Sequence, residues 1–171
     1  MRTNWFRGIM ALAAVLGTVA LVSEAQAQVN AMSGKSKLTI TKREILPAGD
    51  VEGHVLMLSE SNGTNASTGK WAYMDGAKAR AVGIYDVTKG NGSQSAYFIL
   101  TKDDSETVAK ITGALKTVLS PEGKPLTSMS GEWKYVKCTG VYAGCTGQGT
   151  YQGSFTAENE YVVEFKGILV Q

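Results

Sequence analysis

Residues 160–170, EYVVEFKGILV, set the pattern that decides the fold. If this segment is extended, one of its faces is apolar and the other is charged. The apolar face holds Tyr161, Val163, Phe165 and Leu169, and the charged face holds Glu160, Glu164 and Lys166. This alternation with a period of two is typical of a β-strand with one buried and one solvated face.

The same period recurs upstream. Between Ala109 and Leu115 the odd positions are Ala, Ile, Gly and Leu, and the even positions between them are Lys, Thr and Ala. Trp133 and Tyr135 alternate with Glu132 and Lys134. No window of comparable length places apolar residues at the i, i+3, i+4 and i+7 spacing of an amphipathic helix. The sequence therefore predicts an all-β protein with little helix.

Turn signals divide the chain into about eight strands. Asn62-Gly63 and Asn91-Gly92 are predicted hairpin turns, because type I′ turns need positive φ at both central residues. Further turns are predicted at 103–105, 121–124 and 158–159. The predicted strands lie near 37–46, 51–60, 71–88, 93–101, 106–119, 128–138, 148–157 and 160–170. Eight antiparallel strands with one apolar face leave exposed edges unless they close. We therefore predict a single antiparallel β-barrel over 37–171, preceded by a flexible segment, 28–36.

The first 27 residues have the pattern of a removable export signal. A basic start is followed by an apolar stretch of about 15 residues, Gly8 to Val22, and then by Ala25-Gln26-Ala27, which a signal peptidase accepts. The stretch is shorter than the roughly 20 residues that a spanning helix needs, although a retained anchor is the alternative. We expect a mature protein in the periplasm or secreted, without stable membrane insertion.

Composition narrows the classes of partner. The 171 residues carry a formal net charge of +2 without a basic cluster, so no nucleic-acid partner is expected. Apolar residues make up 43% and charged residues 19% of the chain, a balance that favours an ordered core.

Cys138 and Cys145 are the only cysteines, and disulfides persist in exported proteins. A bridge would close a short loop and stabilise the fold by about 2–3 kcal/mol. A redox pair lacks the C-x-x-C spacing, and a metal site lacks further ligands, since His54 is the single histidine. We predict a structural disulfide, no metal and no cofactor.

Residues 138–151, CTGVYAGCTGQGTY, resemble the G-T-G-x-Y-x-G-(apolar)-x-G-x-G-x-(aromatic) segment near the end of allene oxide cyclase-like and dirigent-like barrels. Cys138 stands where that pattern usually has Gly, and Cys145 where it has an apolar residue. The resemblance implies a barrel with a shaped apolar cavity, and an assembly of identical subunits. A phosphate-binding glycine loop would need a following helix, whereas residues 151–155 are predicted to be a strand.

Candidate catalytic residues are few. His54 would share a strand face with Glu52, about 7 Å along the strand, as a carboxylate–imidazole pair at a barrel mouth. The alternative is a histidine that caps the barrel or faces solvent. Glu132 and Asp75 are further acidic candidates, and no Gly-x-Ser-x-Gly nucleophile motif occurs.

Aromatic residues with the apolar parity of their strands are candidates for binding a ligand, or for simple core. They are Trp71, Tyr73, Tyr85, Tyr97, Trp133 and Tyr135. Phenols that point inward need polar partners there.

Three functions remain open on the sequence. The first is a non-catalytic exported barrel that binds a small apolar ligand in or at the mouth of the barrel, or has a structural role. The second is a cyclase or isomerase resembling allene oxide cyclase. The third is a small outer-membrane barrel, which the regularly charged strand faces disfavour.

Overall fold

The computed structural model describes residues 27–171, which form one closed barrel of eight antiparallel strands. The strands are β1 (Val29–Pro47), β2 (His54–Ser67), β3 (Lys78–Thr88), β4 (Asn91–Lys102), β5 (Ser105–Leu119), β6 (Pro125–Cys138), β7 (Thr146–Phe155) and β8 (Glu160–Val170). Each strand pairs with the next, and β8 closes on β1. Within these residues the helix is limited to one 3₁₀ turn, Gly140–Tyr142. The predicted all-β single barrel is confirmed. The predicted export signal lies outside the described residues except for Ala27.

The alternation seen in the sequence places the core inside the barrel. On β8, the buried side chains are the apolar set, and Leu169 is fully buried. On β5, Ala109, Ile111 and Leu115 are buried while Lys110 is exposed. One face of every strand therefore contributes to a single interior layer.

The barrel begins at Val29, and not near residue 37. Val29 pairs with Val170 of β8, so the predicted flexible segment 28–36 is part of β1 from its second residue. The inward residues at this end include Gly34 and Ser36, so the sequence shows no apolar alternation that would indicate a strand here. A Cβ at Gly34 would overlap the Phe165 ring, and the Ser36 hydroxyl donates to Asn65 Oδ1 at 2.9 Å.

Two predicted hairpin turns are misplaced. Asn62 and Gly63 lie inside β2, where Asn62 pairs with Thr39 on one side. The β3–β4 turn is Lys89-Gly90, two residues before the predicted Asn91-Gly92, and Thr88 pairs with Asn91 across it. Lys89 and Gly90 have φ of 50° and 76°, as a type I′ turn requires. The turns predicted near residues 104, 122 and 158 are present.

The predicted third strand, 71–88, starts only at Lys78. Residues 68–77 instead fold over one end of the barrel and insert Tyr73 into it. The buried Asn65 amide holds this loop by donating to the Met74 carbonyl at 2.9 Å. Residues 71–77 therefore form a cap and not the start of a strand, because the buried Asn65 side chain gives their backbone a hydrogen-bond partner outside a strand ladder.

A bulge shapes the other end of the barrel. The β1–β2 register shifts between Ile40 and Lys42, and beyond the shift Arg43, Ile45 and Pro47 pair with inward residues of β2. Pairing between β1 and β8 stops at Thr39 and Glu160. Residues 41–58 therefore extend past β8 as a hairpin that we call the β1–β2 arm.

Candidate functional site

The interior of the barrel is filled by side chains. Two small voids remain, each of about 30 Å³. A group of four side chains separates them, Phe98, Ile111, Tyr151 and Val163. A void of this size accommodates a water molecule or two, and neither void has room for an organic ligand.

Buried phenols border one void and bond to each other. Tyr73 Oη lies 2.7 Å from Thr107 Oγ1, and Tyr135 donates to Tyr73 Oη at 2.6 Å. Burial raises the pKa of Tyr73 to about 12, and burial together with the neighbouring Tyr73 raises the pKa of Tyr135 further. These phenols are neutral at physiological pH, and their polar groups are satisfied by one another and not by a ligand.

The phenols around the second void follow the same logic. Gln94 Nε2 donates to Tyr151 Oη inside the barrel. Burial raises the pKa of Tyr85, Tyr151 and Tyr161. Every buried side-chain nitrogen and oxygen among the described residues has a partner, so this interior contains no orphaned group that calls for a polar ligand.

The six aromatic candidates separate into three groups. Tyr73, Tyr85, Trp133 and Tyr135 point inward and belong to the packed core. Trp71 is half-buried at the capped end, where its ring centre lies 6.0 Å from that of Tyr142. Tyr97 points outward from β4 and is 48% exposed, so it lines no interior space.

The acidic candidates are also on the outside. The Glu52 side chain is 93% exposed in the β1–β2 loop, 3.7 Å from Lys89 Nζ. Residues 51–53 form a turn, so the strand face expected to unite Glu52 with His54 does not exist. Glu132 is exposed on β6 between Thr112 and Thr150. Asp75 accepts the Ser67 N–H at 2.8 Å in the capping loop.

His54 lies between two carboxylates that the sequence did not reveal as partners. Its Nδ1 is 2.5 Å from Asp50 Oδ1 and its Nε2 is 2.7 Å from Asp86 Oδ1. The hydrogen bond that His54 donates to Asp86, and then the one to Asp50, raise the pKa of His54, and the bond from His54 lowers the pKa of Asp50. With both ring nitrogens engaged, His54 is not free to act as a general base.

The predicted disulfide is present. Cys138 and Cys145 are bonded, with Cα atoms 5.7 Å apart, and enclose the 3₁₀ turn. The turn docks on β5, where the Val141 N–H donates to Ser105 Oγ at 3.1 Å. Gly140 has φ of 63°, and a Cβ there would overlap Ser105. Residues 27–171 contain no group of three or more His, Cys, Asp or Glu side chains placed to hold a metal ion.

The uncapped end carries an apolar surface that the sequence did not single out. Ile45, on the inner face of the β1–β2 arm, is 51% exposed. Val55 and Met57 are partly buried beside it, as are Ile40 and Phe155 at the shorter β7–β8 side. We call these five residues the apolar rim. It remains open because β8 begins only at Glu160, opposite Thr39, and does not cover the arm.

The outer wall has two characters. The outward side chains of β7 are all polar: Thr146, Gln148, Thr150, Gln152 and Ser154. An open groove of about 630 Å³ crosses this side, lined by polar side chains such as Ser130, Gln152 and Lys166 and by apolar surface from Tyr151 and Phe165. Across β2–β4 the outward residues include the exposed Leu56, Leu58 and Ile84. No helix in the described part of the chain has the length and apolar character to span a bilayer.

Comparisons with known proteins find a distant structural likeness. No protein-family model matches the chain, and no curated protein matches it in sequence. Among solved structures, it is similar to a pterocarpan synthase dirigent protein, with 12% identity, a TM-score of 0.45, and coverage of 94% of this chain and 99% of that one. A likeness at this identity and TM-score assigns no function to the present barrel.

Proposed function

We propose that the mature protein is an exported, non-catalytic barrel that binds a small apolar ligand at its mouth, on the apolar rim. The observation that carries the proposal is the exposed Ile45 side chain, which faces the mouth above a filled interior. An aliphatic side chain on the inner face gains about 25 cal/mol per Å² when a ligand covers it. A mouth site also agrees with the absence of a ligand-sized space in the two interior voids.

The placement of the polar groups supports binding over catalysis. Glu52 and Glu132 are exposed away from the rim, and His54 is engaged by two carboxylates. The buried phenols have raised pKa values and donate to neighbours inside the core. A cyclase or isomerase would need an acid or base facing its substrate, and none of these groups faces the rim.

The outer wall supports a water-facing barrel over a membrane barrel. A lipid-facing belt needs an apolar band about 25 Å tall around the whole barrel. The polar outward face of β7 interrupts such a band along the strand's full length.

Self-association belongs to the same proposal. Leu58 and Ile84 are cross-strand partners on the outer wall, and Leu56 adjoins them on β2. Contiguous exposed apolar side chains of this kind mark contact surfaces between proteins. Light scattering on the mature protein measures the subunit number, and Ile84→Asp should lower it if this strip is the contact.

Native mass spectrometry on protein purified without detergent tests the ligand. We expect an added mass that disappears on denaturation, on a chain beginning at Gln28. A fluorescent apolar probe, anilinonaphthalene sulfonate, then locates the site. Ile45→Asp should weaken probe binding at least about tenfold, since tenfold corresponds to about 1.4 kcal/mol and a carboxylate beside an apolar ligand costs more.

Ile168→Asp is the matched control, because Ile168 is 42% exposed on the outward face of β8 and makes the same chemical change away from both the rim and the β2–β3 strip. It should leave probe affinity within a factor of two. If Ile45→Asp binds the probe as tightly as Ile168→Asp does, the rim is not the site. A bare mass in the first experiment together with no probe binding would contradict ligand binding altogether.

A further inference from the structure

We propose that His54 is a pH-responsive latch that fastens the tip of the β1–β2 arm to β3 and is closed when its imidazole is protonated. The latch joins segments that are far apart in the chain. Asp50 lies in the β1–β2 loop, and Asp86 lies near the end of β3. The His54 side chain bridges them at 2.5 and 2.7 Å and is only 18% exposed.

The two bonds require two protons on the ring. An imidazolium donates from both nitrogens, whereas a neutral imidazole has one N–H and one lone pair. After deprotonation, whichever nitrogen loses its proton presents a lone pair to a carboxylate oxygen. One of the two connections is then repulsive, and the loop is held to β3 by one bond fewer.

The charged groups around His54 come from three segments. Besides Asp50 and Asp86, the loop contributes Glu52 and the β3–β4 turn contributes Lys89, whose side chains are 3.7 Å apart. From β1 and β4 the residues at this level are Ala48, whose N–H donates to the His54 carbonyl, and Ser93, which pairs with Asp86. Of these side chains, only that of His54 has an ordinary pKa between 5 and 8.

The sign of the response follows from the direction of the shift. Asp86 and Asp50 raise the pKa of His54 above its ordinary value of 6.5. The stabilisation is therefore complete below about pH 6.5, the value in an unfolded chain, and is lost as the pH rises through the higher folded-state pKa.

Opening is local because other bonds persist. The Lys89 N–H still donates to the Gly53 carbonyl at 2.9 Å, so the arm remains in the sheet. Gly49 and Gly53 have φ of 84° and 77°, and glycine at both positions gives the released loop access to other conformations. The latch opens and closes without any ligand at the apolar rim.

Proton NMR reads the latch directly, because the single histidine gives one Cε1–H signal. Its titration midpoint should lie above 6.5 in the wild-type protein and fall in both Asp86→Asn and Asp50→Asn. Hydrogen exchange over residues 48–54, corrected for the intrinsic pH dependence, should accelerate several-fold as the pH passes that midpoint. The β5–β6 turn, 120–124, is the internal control and should show no such step.

His54→Gln and Asp86→Asn separate the latch from general loosening. His54→Gln should show fast exchange in the loop at every pH, and Asp86→Asn should lose the step at the wild-type midpoint, because its amide accepts from a protonated ring and donates to a neutral one. Protection of β5 and β8 should be unchanged in both. A wild-type midpoint at 6.5 that neither Asn variant moves would overturn the proposal. So would loop exchange in the wild-type protein with no step at the histidine midpoint, whatever the variants show.

Discussion

Replacing Ile111 with Ala tests whether the barrel is a packed core or an open container. Ile111 is 8% exposed on the inner face of β5 and borders both interior voids. The change removes three carbon atoms, worth about 2.4 kcal/mol at about 0.8 kcal/mol each. The voids on both sides of Ile111 show that neighbouring side chains have not collapsed into the gaps. We therefore expect a loss in the upper half of the usual range of about 2–5 kcal/mol.

The loss is measured by urea unfolding followed by tryptophan fluorescence, with a thermal melt alongside. A chain of this size gains about 0.3 kcal/mol/K of unfolding entropy, so the expected loss lowers Tm by about 10–15 °C. Ile168→Ala is the control, because Ile168 makes the same change on the outward face of β8 at 42% exposure, away from the proposed contact strip. It should cost less than about 1 kcal/mol.

A second measurement uses the space that the substitution creates. Ile111→Ala joins the two voids into one apolar cavity, and cavities of this kind bind benzene. Benzene should raise the Tm of Ile111→Ala and leave that of the wild-type protein unchanged. If Ile111→Ala costs no more than Ile168→Ala, or if benzene stabilises the wild-type protein, the interior is not packed and a ligand could bind inside it.

Three further outcomes are expected. Tyr135→Phe should lower the free energy of unfolding in urea by about 1–3 kcal/mol. Tyr73→Phe should lower it less in the Tyr135→Phe background than alone, because the two hydroxyls share one hydrogen bond. Strictly additive losses would contradict the network. Replacing both Cys138 and Cys145 with Ser should cost about 2.5 kcal/mol while the circular dichroism of the barrel is retained; loss of the fold would show that the bridge does more than close its loop. Burial raises the pKa of Tyr73 to about 12, above the value of about 10 for an unfolded phenol. The neutral Tyr73 hydroxyl therefore stabilises the fold fully below pH 10, and this stabilisation is lost as the pH rises toward 12. Tyrosinate absorbance that rises equally early in folded and urea-unfolded protein would refute this burial.

The strands that could be predicted from the sequence are those whose inward residues are large. β8 presents Tyr161, Val163, Phe165 and Leu169 inward, so its alternation is visible without the structure. The start of β1 presents Gly34 and Ser36, which are inward because the Phe165 ring and Asn65 occupy the space beside them. A small inward residue is informative only once its partner on the neighbouring strand is known, and that partner is far away in the chain.

Of the candidate site residues, the direction of the aromatic side chains could be predicted from the sequence, whereas the partners of His54 could not. Strand parity identified Tyr85, Trp133 and Tyr135 as inward, and the structure places them there. These side chains enclose a cavity only if the inward side chains of all eight strands together leave part of the interior unfilled. The alternation along single strands does not give that total volume. The partners of His54 depend on the β2–β3 register, in which His54 pairs with Thr88 and so lies near Asp86.

A single backbone irregularity decides where the apolar rim lies. Below the bulge the even residues of β1 point inward, as Leu38 does, and above it the odd residues do. If the strand ran through Thr41 in regular alternation, without the bulge, Lys42 and Glu44 would turn into the mouth and Ile45 would face outward, because a one-residue slip exchanges the two faces of a strand. The segment contains no glycine or proline at the bulge that would have signalled it. The chemistry of the mouth is therefore set by register: the bulge places Arg43 and Ile45 on the inner face, where a regular strand of the same sequence would place Lys42 and Glu44.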